Sequence, residues 1–101
     1  MKSLQDALYN WLTIQVVADA RPNDTAAQET AAFFRTILQN DFQITKVNVK
    51  KDEMMYIIHY EKEQQSKTAR FPVELIEAML EQIEREPEKY INYPTEQKHR
   101  A

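Results

Sequence analysis

The chain has 101 residues, 43% of them hydrophobic and 29% charged, with a formal net charge of −3. That is the size and composition of one globular domain, not of a disordered chain, and it suffices for one core without covalent staples. Cysteine and glycine are both absent, which excludes disulfides, thiolate zinc sites and cysteine catalysis on one side, and a P-loop, a dinucleotide fingerprint and a glycine-built nucleophile elbow on the other.

The opening "MKSLQDALYNWL" interrupts its apolar residues with Asp6 and Asn10. It reads as neither a signal peptide nor a membrane span, so a cytoplasmic location is the expectation. Without glycine, turns that need a positive φ are expected to use Asn or Asp.

Ser3 is a candidate N-cap, with Asp6 at capping-box spacing. Leu4, Ala7, Leu8, Trp11 and Leu12 then follow a helical stripe. The continuation through Thr13, Ile14, Val16 and Val17 is β-branched, which favours helix less. The reading is one helix to about Ala18, with a strand-like end as the alternative. Pro22 ends it, and Asp24 or Thr25 can cap a second helix, Gln28 standing three residues after Thr25. That helix runs to about Gln39 with Ala27, Ala31, Phe34 and Leu38 on one face and Ile37 beside them. Asn40 is the expected left-handed cap, and the alanines suit a close α-hairpin.

The period then changes to two. "QITKVNVKK" is the first strand, "DEMMYIIHYEKE" the second and "SKTARF" the third. A turn at Lys51–Asp52 would pair Val49 with Met54 and Val47 with Tyr56. A turn near Gln64–Gln65 would pair Tyr60 with Ala69 and Ile58 with Phe71. Both registers put Val47, Val49, Met54, Tyr56, Ile58, Tyr60, Ala69 and Phe71 on one face. "FPVELIEAMLEQIERE" is the last helix, with Pro72 in its first turn and Leu75, Ile76, Met79, Leu80 and Ile83 as its buried stripe. "PEKYINYP" adds a short helical turn with Tyr90, Ile91 and Tyr93 against the body. The expectation is an α+β fold of order α-α-β-β-β-α, a three-stranded antiparallel meander packed on one face by helices. Residues 1–93 form one compact domain and 94–101 a polar tail.

The other sheet face is the first candidate site. It carries Lys46, Asn48, Met55, Ile57, His59, Glu61, Thr68 and Arg70. An apolar centre of Met55 and Ile57 with Lys46, His59 and Arg70 around it is the pattern of a partner-binding patch, unless a helix or the C-terminal segment covers it. His59 and Glu61 share a face but make too few ligands for a metal, and the other histidine, His99, lies in the tail. No cofactor is expected. Glu74, Glu77, Glu81, Glu84 and Glu88 form an acidic stripe that suits a basic partner or a solvated helix face. Phe33 points away from Phe34, as a second core contact or an exposed anchor.

The helix–three-strand–helix order is similar to that of double-stranded-RNA-binding domains. In those domains the last helix starts with lysines, whereas "FPVELIEAML" has Glu74 and Glu77 there, so the phosphate-binding chemistry is missing. The leading expectation is a small non-enzymatic protein that binds another protein, or a second copy of itself, through the outer sheet face. Nucleic-acid binding through Lys46, Lys50 and Arg70 is the alternative, and a small carboxylate enzyme the third.

Overall fold

The computed structural model describes residues 3–85. Along them run α1 (Leu4–Ala20), α2 (Thr25–Phe42), β1 (Ile44–Lys51), β2 (Met55–Lys62), β3 (Gln65–Pro72) and α3 (Val73–Arg85). The strands pair antiparallel in the order β1-β2-β3, and the helices pack on one face of that sheet. This is the α+β order expected. Tyr90, Ile91, Tyr93, His99, Glu88 and the tail lie outside the described residues.

The Ser3 hydroxyl accepts from the Asp6 N–H at 3.1 Å and starts α1. The β-branched run stays helical throughout, so the strand-like alternative falls. Its propensity penalty is only about 0.5 kcal/mol per residue. Burying a large apolar side chain such as Val17 is worth roughly 1.5–3 kcal/mol, and outweighs it.

Asp24 caps α2 by accepting from the Ala27 N–H at 3.0 Å. Gln28 does not close a capping box. Its amide reaches the Ala18 carbonyl at 2.7 Å, one of the orphan acceptors at the end of α1. With Ala18, Ala27 and Ala31 packed in one cluster, this makes the expected α-hairpin. α2 runs past Asn40, and the left-handed cap is Gln43 at φ 58°. The helix end, with the carbonyls that need partners, lies three residues beyond the expected Gln39. The Gln43 N–H serves Leu38, and the Lys62 ammonium donates to the Phe42 carbonyl at 2.6 Å.

Both hairpins differ from the expected registers. Val49 faces Ile58 and Val47 faces Tyr60, while Tyr56 faces Lys51. The cause is Asp52. Its carboxylate accepts from the N–H groups of Met54 and Met55 at 2.8 and 2.7 Å, and its own N–H donates to the Met55 carbonyl. This Asx-type turn takes Glu53 and Met54 out of the strand, and Met54 is 74% exposed instead of in the core. On the other side Ile58 faces Ala69, Tyr56 faces Phe71 and Tyr60 faces Lys67. Both slips are even, so every other residue keeps its expected face.

One residue breaks the alternation. The register shifts between Ile44 and Lys46, leaving Thr45 as a bulge. The bulge turns Ile44 into the core, where it is fully buried.

β3 passes into α3 with no loop between them. Pro72 ends the strand opposite Met55 and does not enter the helix. The Val73 N–H donates instead to the Met54 carbonyl at 2.9 Å, tying α3 to the first hairpin. The buried stripe of α3 is narrower than expected. Ile76 and Ile83 are buried and Leu80 half-buried, but Leu75 and Met79 are 48% and 46% exposed. Helical geometry places those two on the flank away from Ile76 and Ile83, and no third element reaches them among the described residues.

The main core joins Leu8, Trp11 and Leu12 of α1 and Leu38 of α2 to Tyr56, Ile58, Tyr60 and Phe71 of the sheet, with Ile76 of α3. A second cluster joins Val17 and Ala18, Ala27 and Ala31, and Ile83, where the three helices meet.

Two stability predictions follow from local chemistry. The β2–β3 turn places Glu63 at φ 53° and Gln64 at φ 69°, both in the region that favours Asn-Gly. A double substitution Glu63→Asn, Gln64→Gly is expected to stabilise the fold by about 1 kcal/mol. The melting temperature should rise by roughly 4–8 °C for a domain this size. An unchanged or lower midpoint in a thermal circular-dichroism scan would contradict the turn assignment. Thr13 is 8% exposed, and its hydroxyl has no hydrogen-bond partner among the described residues. Thr13→Val should therefore be neutral or stabilising, by up to about 1 kcal/mol, and a loss of that size in urea denaturation would show that the hydroxyl is satisfied.

Candidate functional site

The alternation of β2 divides its side chains between two environments. Tyr56, Ile58 and Tyr60 are buried under the helices, whereas Met55, Ile57 and Glu61 are half-buried and His59 is exposed. The registers assemble the opposite face around them. Ile57 lies between Lys50 and Arg70, His59 between Asn48 and Thr68, and Glu61 between Lys46 and Ser66. The core clusters take their sheet residues from the helical side, and no described helix lies on this second face. Among the described residues, Ile57 is flanked by its strand neighbours, and Met55 by its strand neighbours and the turn and helix residues at the hairpin end.

The expected patch residues Met55, Ile57, Lys46, His59 and Arg70 all lie on this one face, as does Lys50, which the nucleic-acid alternative grouped with Lys46 and Arg70. The charges there are sparsely paired. Lys46 approaches Glu61 at 3.8 Å with its side chain largely in solvent. Beside this pair is a shallow depression of about 310 Å³ lined by Lys46, Asn48, His59, Glu61 and Thr68. His59 and Glu61 have no third ligand, since no group of three His, Cys, Asp or Glu among the described residues could hold a metal ion. The face presents an apolar strip with cationic flanks.

At its end the face turns a corner. Met55 also lines a small apolar hollow of about 350 Å³ with Met54, Pro72 and Val73, edged by Glu53 and Glu74. The turn that makes this corner is held electrostatically. The N–H groups of Met54 and then Met55 bond the Asp52 carboxylate and hold its pKa below the ordinary 3.8.

The acidic stripe does not stay together. Glu74, Glu81 and Glu84 are exposed, but Glu77 turns inward. Its carboxylate accepts from the Lys51 ammonium at 2.7 Å and from the Tyr56 hydroxyl in a short hydrogen bond. The Lys51 ammonium also sits 5.4 Å from the centre of the Tyr56 ring, within cation–π range. Hydrogen bonding by Lys51, then Tyr56, lowers the Glu77 pKa below its ordinary 4.5. Burial, reinforced by Glu77, pushes the Tyr56 hydroxyl well above its ordinary 10.0. Glu77 is thus a fixed anion and Tyr56 a fixed donor near neutral pH. Neither is poised for acid–base work.

This trio stands at one end of a cleft of about 360 Å³ between α1, α3 and the strands β1 and β2. Its apolar lining includes Leu12, Val16, Val49 and Leu80, and Asp19 stands with Glu77 among its polar groups. Sequence reading had no means of finding the cleft, because its residues come from four elements. The one usable signal was the position of Glu77 between Ile76 and Leu80, at the border of the apolar stripe. Phe33, weighed as core or anchor, is 61% exposed and touches the ring of Phe34 at 6.0 Å between centres.

No described helix is long and apolar enough to cross a membrane. Comparison of the chain with protein-family models, with curated proteins and with solved structures found no match.

The trio makes stability depend on pH at both ends. The Glu77 pKa is depressed on folding, so its contribution is complete above about pH 4.5 and is lost as pH falls through the folded value. The Tyr56 pKa is raised, so its contribution is complete below pH 10 and is lost at higher pH. Denaturation at a series of pH values should show a shallower acid limb for Glu77→Gln and a shallower alkaline limb for Tyr56→Phe. Curves parallel to the parent's would mean that the trio contributes nothing to stability.

Proposed function

We propose that this protein acts by binding another protein through the open face of its sheet, and that it is not an enzyme. The observation that carries the reading is the placement of Met55 and Ile57, two large apolar side chains on the central strand with no helix over them among the described residues. Apolar centres inside charged rims are where interface binding energy concentrates. The rim chemistry selects the partner. Lys46, Lys50 and Arg70 surround the strip, so the partner offers an apolar anchor flanked by carboxylates, and the charges steer its approach.

Size sets the class of contact. Three strands of eight residues each present a face of roughly 26 Å by 14 Å, a footprint on the order of 400 Å². A standard stable interface buries about 800 Å² per partner. A contact confined to this face is therefore a transient one.

Two other occupants fit less well. Two copies meeting face to face would bring two rims together in which the cations Lys46, Lys50 and Arg70 outnumber the one carboxylate, Glu61. A second copy could offer the acidic side of its α3 instead, but that contact is head-to-tail and joins two different surfaces, giving rings or filaments. Nucleic-acid bases need stacking partners, and the aromatic residues of β2, Tyr56 and Tyr60, point into the core.

The test uses the chain as immobilised bait in native extract, beside the double variant Met55→Ser, Ile57→Ser. The expected result is an acidic partner retained by the parent chain, released by salt and lost from the variant, with unchanged circular dichroism for both. Identical retention by both baits would overturn the reading. Retention of nucleic acid alone, at low salt, would transfer the face to the alternative class.

A further inference from the structure

The cleft beside Tyr56 lies on the helical side of the sheet, opposite the face proposed for partner binding. It exists because the helices part there. α1 leans toward α2 through Val17, Ala18, Ala27 and Ala31. α3 is held to the hairpin end by Glu77 on Lys51 and Tyr56. Between them Val49, a core-face residue, is left 36% exposed at the floor of a hollow of about 360 Å³. That is the small end of the range for ligand pockets, about 300–1,000 Å³.

The walls and the charge together select a ligand class. Leu12, Val16, Val49 and Leu80 supply apolar contact for a short hydrocarbon body. Two carboxylates stand on the cleft, and only one is matched. Glu77 has Lys51 at 2.7 Å. Asp19 accepts from the Gln15 amide at 2.8 Å and makes no ion pair among the described residues. The Lys51 ammonium over the Tyr56 ring shows that this end already accommodates a cation. The cleft is thus one negative charge in excess beside an apolar floor. An anion meets repulsion there, and a neutral chain leaves Asp19 unmatched.

We propose that this cleft binds an aliphatic primary ammonium, its chain on Val16, Val49 and Leu80 and its ammonium on Asp19. The same group can come as a free small amine or as a lysine side chain of another protein. The site is separate from the open sheet face and does not rest on it.

The test is a methyl NMR titration with n-hexylammonium, n-hexanol and hexanoate as probes. Hexylammonium should give saturable shifts of the Val16, Val49 and Leu80 methyls, more tightly than hexanol, with hexanoate the weakest. Asp19 is exposed on α1, so Asp19→Asn should fold normally. It is expected to weaken hexylammonium about fivefold, the scale of a partly solvated ion pair, and to leave hexanol unchanged. Val49→Lys, which sets a cation on the floor, should abolish hexylammonium binding. Met55→Ser, Ile57→Ser should leave it intact, which separates this site from the sheet face. Nα-acetyl-lysine amide binding as tightly as hexylammonium would assign the ligand to a protein lysine, and much weaker binding to a free amine. The proposal is overturned if the methyls do not shift saturably, if Asp19→Asn binds hexylammonium like the parent, or if hexanoate binds equally well.

Discussion

Ile58 stands at the middle of the middle strand and is fully buried. The described structure is arranged to keep it so. A three-stranded sheet is not stable alone, and its apolar face must be covered by helices. Ile58 with Tyr56 and Tyr60 belongs to the cluster that residues of α1, α2 and α3 complete, among them the fully buried Leu8, Leu12, Leu38 and Ile76. Once those helices are committed to one side, the other side of the same strand has no described helix to cover it. The partner-binding proposal and the core therefore have one origin: β2 carries apolar residues on both faces, and the described helices cover one of them.

The helices do not cover their own side completely. Three helices over three short strands must meet somewhere, and here they meet around Val17, Ala31 and Ile83, beyond the sheet. Small alanines draw α1 and α2 together. Glu77 draws α3 toward Lys51 and Tyr56. Two of the hydrogen-bonded groups that fix the last helix, Glu77 and Tyr56, line the cleft at Val49. A leucine at position 77 would offer no such hold on the ammonium and the phenol, because it lacks an acceptor for either. The same three groups hold the Glu77 pKa below its ordinary value and the Tyr56 pKa above its own.

Turn chemistry was the main place where expectation and structure separated. Asp52 was in view as a turn residue, but its carboxylate gathers two N–H groups and lengthens the turn, which moves the register by four positions. The positive-φ positions fell on Gln43, Glu63 and Gln64, none of them Asn or Asp. In each case the contacts around the turn decided. Lys62 and the Leu38 carbonyl hold the Gln43 corner, and cross-strand pairs on both sides of Glu63–Gln64 force the two left-handed residues. A left-handed residue other than glycine costs roughly 1–2 kcal/mol, and several strand pairs worth about 0.2–1 kcal/mol each can offset it.

The sequence by itself determined the element order, the faces of the strands and the residues of the open patch. Period-two and period-3.6 alternation are properties of the chain, and a face assignment survives any even slip in register. Met55, Ile57, Lys46, His59 and Arg70 were legible together for that reason. Tertiary structure alone decided the rest. It set the Thr45 bulge that turns Ile44 inward, the exposure of Leu75 and Met79, the inward turn of Glu77 and the gathering of Asp19, Val49 and Leu80 around one cleft. These depend on where separate elements approach one another, through bonds between residues far apart in the chain, such as Lys51 with Glu77. No local pattern encodes a distance of that kind.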